Sequence, residues 1–105
     1  MPNTINYKHL HYFWTVAKEG SIAKASELLH ITPQTISGQL SLLEDSLGSA
    51  LFERHGRGLI LTEKGRLVLS YADEIFGLGQ ELRDVLRGSP SKGQAEFIVG
   101  IMDSI

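Results

Sequence analysis

Between Thr32 and Ser41 the chain reads TPQTISGQLS, and Thr32, Pro33, Gln34, Thr35, Ser37, Gly38, Gln39 and Ser41 present carboxamides, hydroxyls and a bare backbone without one charged group. Such groups suit the edges of base pairs. The Gln34 carboxamide can meet adenine N6 and N7 at two points, and the Thr35 methyl can lie against the methyl of thymine. Ser37, Gln39 and Thr32, with the free N–H groups of a helix start, suit phosphate oxygens. A second group, Arg54, His55 and Arg57, falls in the glycine-bearing stretch RHGRG. Guanidinium groups flanked by glycine can reach a phosphate or a minor-groove edge. The plain alternatives are an ordinary polar helix face and a solvated basic turn. Against the first, a solvated face more often carries Lys, Glu and Arg, which form helices better than Ser, Thr and Gly.

Other chemistry finds little to stand on. The chain has no cysteine, which removes disulfides and thiolate metal sites and is compatible with a reducing cytosol. His9 and His11 are spaced i and i+2, which on a helix points them to different sides. No glycine-rich phosphate loop and no clustering of His, Asp and Glu at catalytic or metal spacing is present, so the sequence reads as no enzyme. The N-terminus lacks an apolar signal core and no stretch reaches transmembrane length, so no membrane partner is expected. With 105 residues, 42% of them hydrophobic and 21% charged, the chain suits one small soluble domain with a connector. Its net charge of −2 runs against the basic balance usual for nucleic-acid binders. Recognition of DNA would have to rest on where charge is placed.

The elements that position these groups are legible from periodicity. Leu10, Phe13, Trp14 and Ala17 mark one face of a first helix over Tyr7 to Lys18, capped by Asn6 and stopped by Gly20. Ser21 caps a short second helix whose inward face is Ile22, Ala25, Leu28 and Leu29. A tight break at His30-Ile31-Thr32 follows, with Ile31 as a buried plug. Thr32 then caps a third helix with Pro33 at its first position. Its apolar stripe is Ile36, Leu40, Leu43 and Leu47, and Gly48 ends it. Ser21 to Leu47 is therefore a helix-turn-helix, whose second helix suits the DNA major groove. Past it, Arg54 to Gly58 reads as the turn, and Leu59 to Leu61 as a strand, of a two-stranded wing with Arg54, His55 and Arg57 at its tip.

Thr62 caps a long fourth helix, about Glu63 to Arg87. Val68, Tyr71, Ile75, Leu78, Leu82 and Val85 keep a heptad-like 3-4 spacing, and Leu69, Ala72, Phe76, Gly79 and Leu86 form a second stripe. The N-terminal turns of this helix can touch the three-helix core while the rest pairs with a second copy, with Ala72, Gly77 and Gly79 allowing close approach. GSPSKG from Gly88 reads as a linker, and AEFIVGI from Ala95 as the first strand of a further domain. The divisions are thus 1–61 for the winged helix-turn-helix, 62–87 for the dimerisation helix, and 88–105 for a hinge and first strand. The fold class is mainly α, a winged helix-turn-helix followed by a long dimerisation linker helix.

The stretch HLHYFWTVAKEGSIAKASELLHITPQTISGQLSLLEDSLGSALFERHGRGLILTEKG resembles the N-terminal domain of LysR-type transcriptional regulators. The aromatic first helix ending in EGS, the helix-turn-helix core running to LE, and LFER followed by a Gly/Arg turn and LTEKG carry the likeness together. NYKHLHYFW, TPQTISGQ and RHGRGL are similar to the activators of sodium/proton antiporter genes. The resemblance implies a cytoplasmic homodimer or homotetramer on double-stranded promoter DNA, with RNA polymerase a possible partner of the full-length protein. It implies no cofactor in this segment, since a small-molecule or ion co-inducer would act on a separate effector domain. The family's DNA contacts map onto Thr32, Pro33, Gln34, Thr35, Ser37, Gly38 and Gln39, and onto Arg54, His55 and Arg57. This chain departs from the family habit in having Pro33-Gln34 where Gln-Pro is common, and Gly38 where arginine is usual.

The expected function is sequence-specific DNA binding at an inverted repeat. The alternative is a winged-helix module that uses the same faces for proteins and does not bind DNA.

Overall fold

A computed structural model of the chain describes residues 5–56 and 58–88. Its elements are α1 (Tyr7–Glu19), α2 (Ile22–Leu29), α3 (Pro33–Leu47), β1 (Phe52–His55), β2 (Gly58–Leu61) and α4 (Glu63–Leu86). Mainly helical with one two-stranded sheet, it is a winged helix-turn-helix followed by a long helix. The strand expected from Ala95 lies outside the described residues. So does all of the expected linker after Gly88.

Helix starts are fixed by side-chain caps that satisfy N–H groups otherwise without an intrahelical acceptor. Asn6 Oδ1 accepts from Lys8 N at 2.9 Å and His9 N at 3.0 Å. Ser21 Oγ accepts from Lys24 N at 3.0 Å, and Thr32 Oγ1 from Thr35 N at 3.1 Å. Thr62 Oγ1 accepts from Gly65 N at 2.9 Å while donating to Ala50 O at 2.7 Å, which ties the start of α4 to the approach to the wing. Gly20 and Gly48 end α1 and α3 in the left-handed region. His30 does the same for α2 at φ 59°, a conformation a residue with a Cβ adopts at some cost.

The core gathers Leu10, Tyr12, Phe13 and Val16 of α1, Ala25 of α2, Ile36, Leu40 and Leu43 of α3, then Leu51 and Ala72. Full burial of each large aliphatic or aromatic chain among these stabilises by about 1.5–3 kcal/mol. α1 packs on both α2 and α3, and the Phe13 ring meets the Phe52 ring at 5.2 Å between centroids. This hinges the wing on the helical core.

Several inward assignments made from periodicity shift, and Ile22, Leu29 and Leu47 are half-buried rather than buried. On α1, Tyr12 and Val16 are buried while Trp14 and Ala17 are half-buried. Trp14 lies at the rim because its indole N–H needs an acceptor, and it donates to Asp73 Oδ1 at 2.7 Å. Leu28, expected inside, is 58% exposed, since α2 is two turns long and Ala25 already fills its contact with the core. Ile31 is half-buried rather than a sealed plug, with its N–H donated to Ser26 O.

The chain divides into two compact units, the first ending at Asp73 and the second beginning at Glu74, inside α4. Within the first, Asp73 Oδ1 accepts from the Trp14 indole and pairs with Lys18 Nζ at 2.9 Å, which attaches α4 to α1. The indole hydrogen bond, then the Lys18 ammonium, hold the Asp73 carboxyl below its ordinary pKa. No helix among the described residues is long and apolar enough to cross a membrane.

Candidate nucleic-acid interface

The first turn of α3 is built to be presented. Pro33 stands at the start of the helix, where its missing N–H leaves nothing unsatisfied. The Thr32 and Thr35 hydroxyls lie 2.9 Å apart, one donating to the other. One hydroxyl hydrogen of the pair is therefore left for an outside acceptor. Ile36, Leu40 and Leu43 are buried and fix the helix by its inner stripe. That leaves Thr32, Pro33, Gln34, Thr35, Ser37, Gly38 and Ser41 exposed, with Gln39 half-buried. The face they make carries no charge. Gln34, Gly38 and Ser41 follow one another at successive turns, along one line of the helix.

The wing adds the cations. β1 and β2 pair antiparallel with Phe52 opposite Leu61, Glu53 opposite Ile60, Arg54 opposite Leu59 and His55 opposite Gly58. Arg54 and His55 are thus strand residues, not turn residues as their neighbourhood of glycines suggests, and both are exposed. Gly56, at φ 59°, takes the left-handed conformation that a tight hairpin needs. Arg57 lies outside the described residues. Arg54, Gly56 and Gly58 share a shallow concavity of about 250 Å³ with Ser21, Ile22 and Ala23, so the wing cation stands beside the first turn of α2.

Glu44 and Gly65, which stand in the LE and LTEKG segments with no role assigned to them from sequence, set the geometry between helix and wing. Glu44, on α3, accepts the backbone N–H of Leu51 at 2.8 Å and that of Phe52 at 3.4 Å through Oε2. Its backbone carbonyl also takes the N–H groups of Gly48 and Ser49. Gly65 of α4 is buried with the Leu51 carbonyl where a Cβ would stand, and that carbonyl also accepts from Thr62 N at 3.0 Å. An acidic residue in the last turns of a helix, against the macrodipole, and a glycine early in a helix were the available signals.

On α4 the large apolar side chains left outside are Leu67, Tyr71, Leu78, Leu82 and Leu86, at 53%, 61%, 65%, 60% and 75% exposure. Ile75 and Val85 are half-buried, and Val68 is half-buried with Leu67 taking the outward place beside it. Ala72 is fully buried in the chain's own core, so it is not available to a second copy. Among the described residues no group of three His, Asp or Glu side chains converges on a metal-sized site.

The model of the bacterial regulatory helix-turn-helix protein, lysR family, matches residues 7–66. Over 101 residues the chain is 48% identical to the transcriptional activator protein NhaR of Escherichia coli (strain K12), covering 96% of this chain and 33% of that protein. The chain thus spans about a third of the length of the curated relatives it matches. Among solved structures, it superposes on a BenM DNA-binding domain in complex with catB site 1 DNA with a TM-score of 0.72 and 30% identity, over 78% of this chain and 92% of that one. Full-length CbnR complexed with its target DNA matches with a TM-score of 0.66 and 37% identity, over 79% of this chain and 30% of that one. The match of residues 7–66 takes in the helix-turn-helix, the wing and the start of α4, and by it the chain belongs to the lysR family of bacterial regulatory helix-turn-helix proteins.

Proposed function

We propose that this chain is the DNA-reading part of a LysR-type transcriptional regulator that binds an inverted-repeat promoter site as a homodimer or homotetramer. The observation that carries the reading is the exposed, uncharged face of α3 in a chain whose wing presents exposed Arg54 and His55. Family relatives with this fold are solved on DNA. Gln34 and Thr35 would meet base edges; Ser37, Gln39, Ser41 and the free hydroxyl hydrogen of the Thr32–Thr35 pair would hold phosphates. Arg54, His55 and Arg57 would lie along the flanking backbone or minor groove. Residues 1–61 form the reading domain, 62–87 the dimerisation helix and 88–105 the hinge to an effector domain. The likeness to NhaR favours an activator of cytoplasmic, promoter-bound action.

Pairing would run along α4 through Tyr71, Leu78 and Leu82, flanked by Ile75, Val85 and Val68, with Leu67 and Leu86 extending the exposed line. A two-fold pair places two copies of α3 on DNA in opposite sense, which makes an inverted repeat the matching site. The relatives' names are those of regulators, which supports a binding role over a catalytic one. A purely protein-binding use of the α3 face has no such support from the relatives.

The test is fluorescence anisotropy of the full-length protein on a duplex selected by that protein from a random library. Gln34→Ala should weaken binding by about 1–3 kcal/mol, the worth of a two-point base contact, and Arg57→Ala should weaken it as well. With so few cations on the interface, the slope of log affinity against log salt should be shallow for a DNA binder. Unchanged binding in both variants rejects these contact assignments.

A further inference from the structure

Gly38 stands inside α3, exposed, on helical backbone and not in the left-handed region. A Cβ added there would meet nothing within 4 Å. Neither backbone conformation nor packing calls for glycine at this place. Glycine in a helix interior is destabilising relative to alanine, through the greater freedom of the unfolded chain. The one property left to explain it is the missing side chain, and that matters only to something arriving from outside. Gly38 is one turn beyond Gln34 on the exposed line, and Ser41 follows on the next turn.

Resting on the reading of α3 as the DNA-reading helix, we propose that Gly38 is a specificity-determining position that admits the C5-methyl group of a thymine against the helix backbone, so that one T·A pair is read by shape. The chemistry narrows to this group. The backbone N–H and C=O at a mid-helix position are engaged in the helix ladder, and glycine adds no donor, acceptor or charge. A phosphate would have nothing there to bind. What remains is van der Waals contact with a projecting apolar group, and thymine is the base that projects a methyl into the major groove. A methyl on the protein at the same point would compete for the space.

The experiment uses the full-length protein, as wild type and as Gly38→Ala, on a duplex selected by the wild type from a random library. The same duplex is also made with deoxyuridine in place of each thymine in turn, which deletes one methyl and keeps the base pair. Gly38→Ala should melt higher, by about 2–4 °C. It should bind the selected duplex about tenfold more weakly. At one position, deoxyuridine should weaken the wild type and return most of the affinity lost by the variant. A variant that binds as tightly as the wild type overturns the proposal, as does a loss that no deoxyuridine substitution restores. If the wild type enriches no sequence and binds no duplex, it is the DNA reading of α3 that fails. The proposal then falls with it, by an outcome distinct from the other two.

Discussion

The Glu44 carboxylate of α3 receives the backbone N–H of Leu51 at 2.8 Å, and this contact ties the approach to the wing to the end of α3. Leu51 is 1% exposed, and its carbonyl is taken by Thr62 N and faces Gly65. Both polar groups of a single buried residue thus bind the end of α3 to the start of α4, with β1 leaving from the junction. Arg54 lies two residues past Phe52, whose N–H the same carboxylate accepts at 3.4 Å. The position of the wing cation follows from an acid that need not touch DNA.

Replacing Glu44 by alanine should therefore cost about 1–3 kcal/mol of stability by leaving part-buried N–H groups without an acceptor. Glu44→Gln keeps an acceptor and should lose less. In a footprint, the alanine variant should keep protection under α3 and lose it where the wing lies. Uniform weakening of the whole footprint would show that Glu44 supports the fold without placing the wing.

Gly65→Ala sets two effects against each other. Alanine raises helix propensity by about 1 kcal/mol over glycine. At this position, however, its Cβ would overlap the Leu51 carbonyl oxygen and press on the Leu61 side chain. The carbonyl cannot move away without losing the bond from Thr62 N. Overpacking should win, with a net loss of about 1–3 kcal/mol. The urea midpoint decides the sign: a midpoint at or above the wild type would mean that α4 can shift on the wing at no cost.

How far the sequence reveals these features depends on whether a signal is local. Asn6, Ser21, Thr32 and Thr62 were readable as caps because a cap acts within four residues, and all four accept the expected N–H groups. The exposed polar face of α3 followed from the buried stripe of Ile36, Leu40 and Leu43. Long-range partners were not readable. Trp14 counts as core by period, yet its acceptor is 59 residues away. Leu28 counts as core too, but two turns of helix do not fix a face against a neighbour. His30 carries no sign that it sits at positive φ, a place glycine more often marks. Arg54 and His55 looked like turn residues because the glycines beside them do not reveal the register, which closes at His55 opposite Gly58.

The tie from α1 to α4 should respond to acid in a defined direction. Asp73 is held below its ordinary pKa by the Trp14 indole and by Lys18. A carboxyl whose folded pKa is depressed contributes stability that is full above its unfolded pKa and is lost as pH falls through the folded value. The stability difference between wild type and Asp73→Asn should accordingly be constant from neutral pH down to the ordinary carboxylate range, then shrink below it. Chemical denaturation across pH measures it, with Trp14 fluorescence as the local reporter. A difference independent of pH throughout would show that the charge on Asp73 is not what holds α4.

Leu78 and Leu82, four residues apart on α4, are 65% and 60% exposed. If a second copy covers them, introducing Lys at both should remove apolar burial and set like charges against each other across the pair. The folded unit ending at Asp73 does not contain either residue. Surface substitutions of this kind shift the stability of a fold by no more than about 0.5 kcal/mol. The mass measured by sedimentation should then fall toward the monomer at micromolar concentration while helix content is retained. An inverted-repeat duplex should lose affinity far more than a single half-site, since paired binding converts the second contact into an intramolecular one. A double variant that sediments as the wild type does would move the pairing surface away from this line of α4.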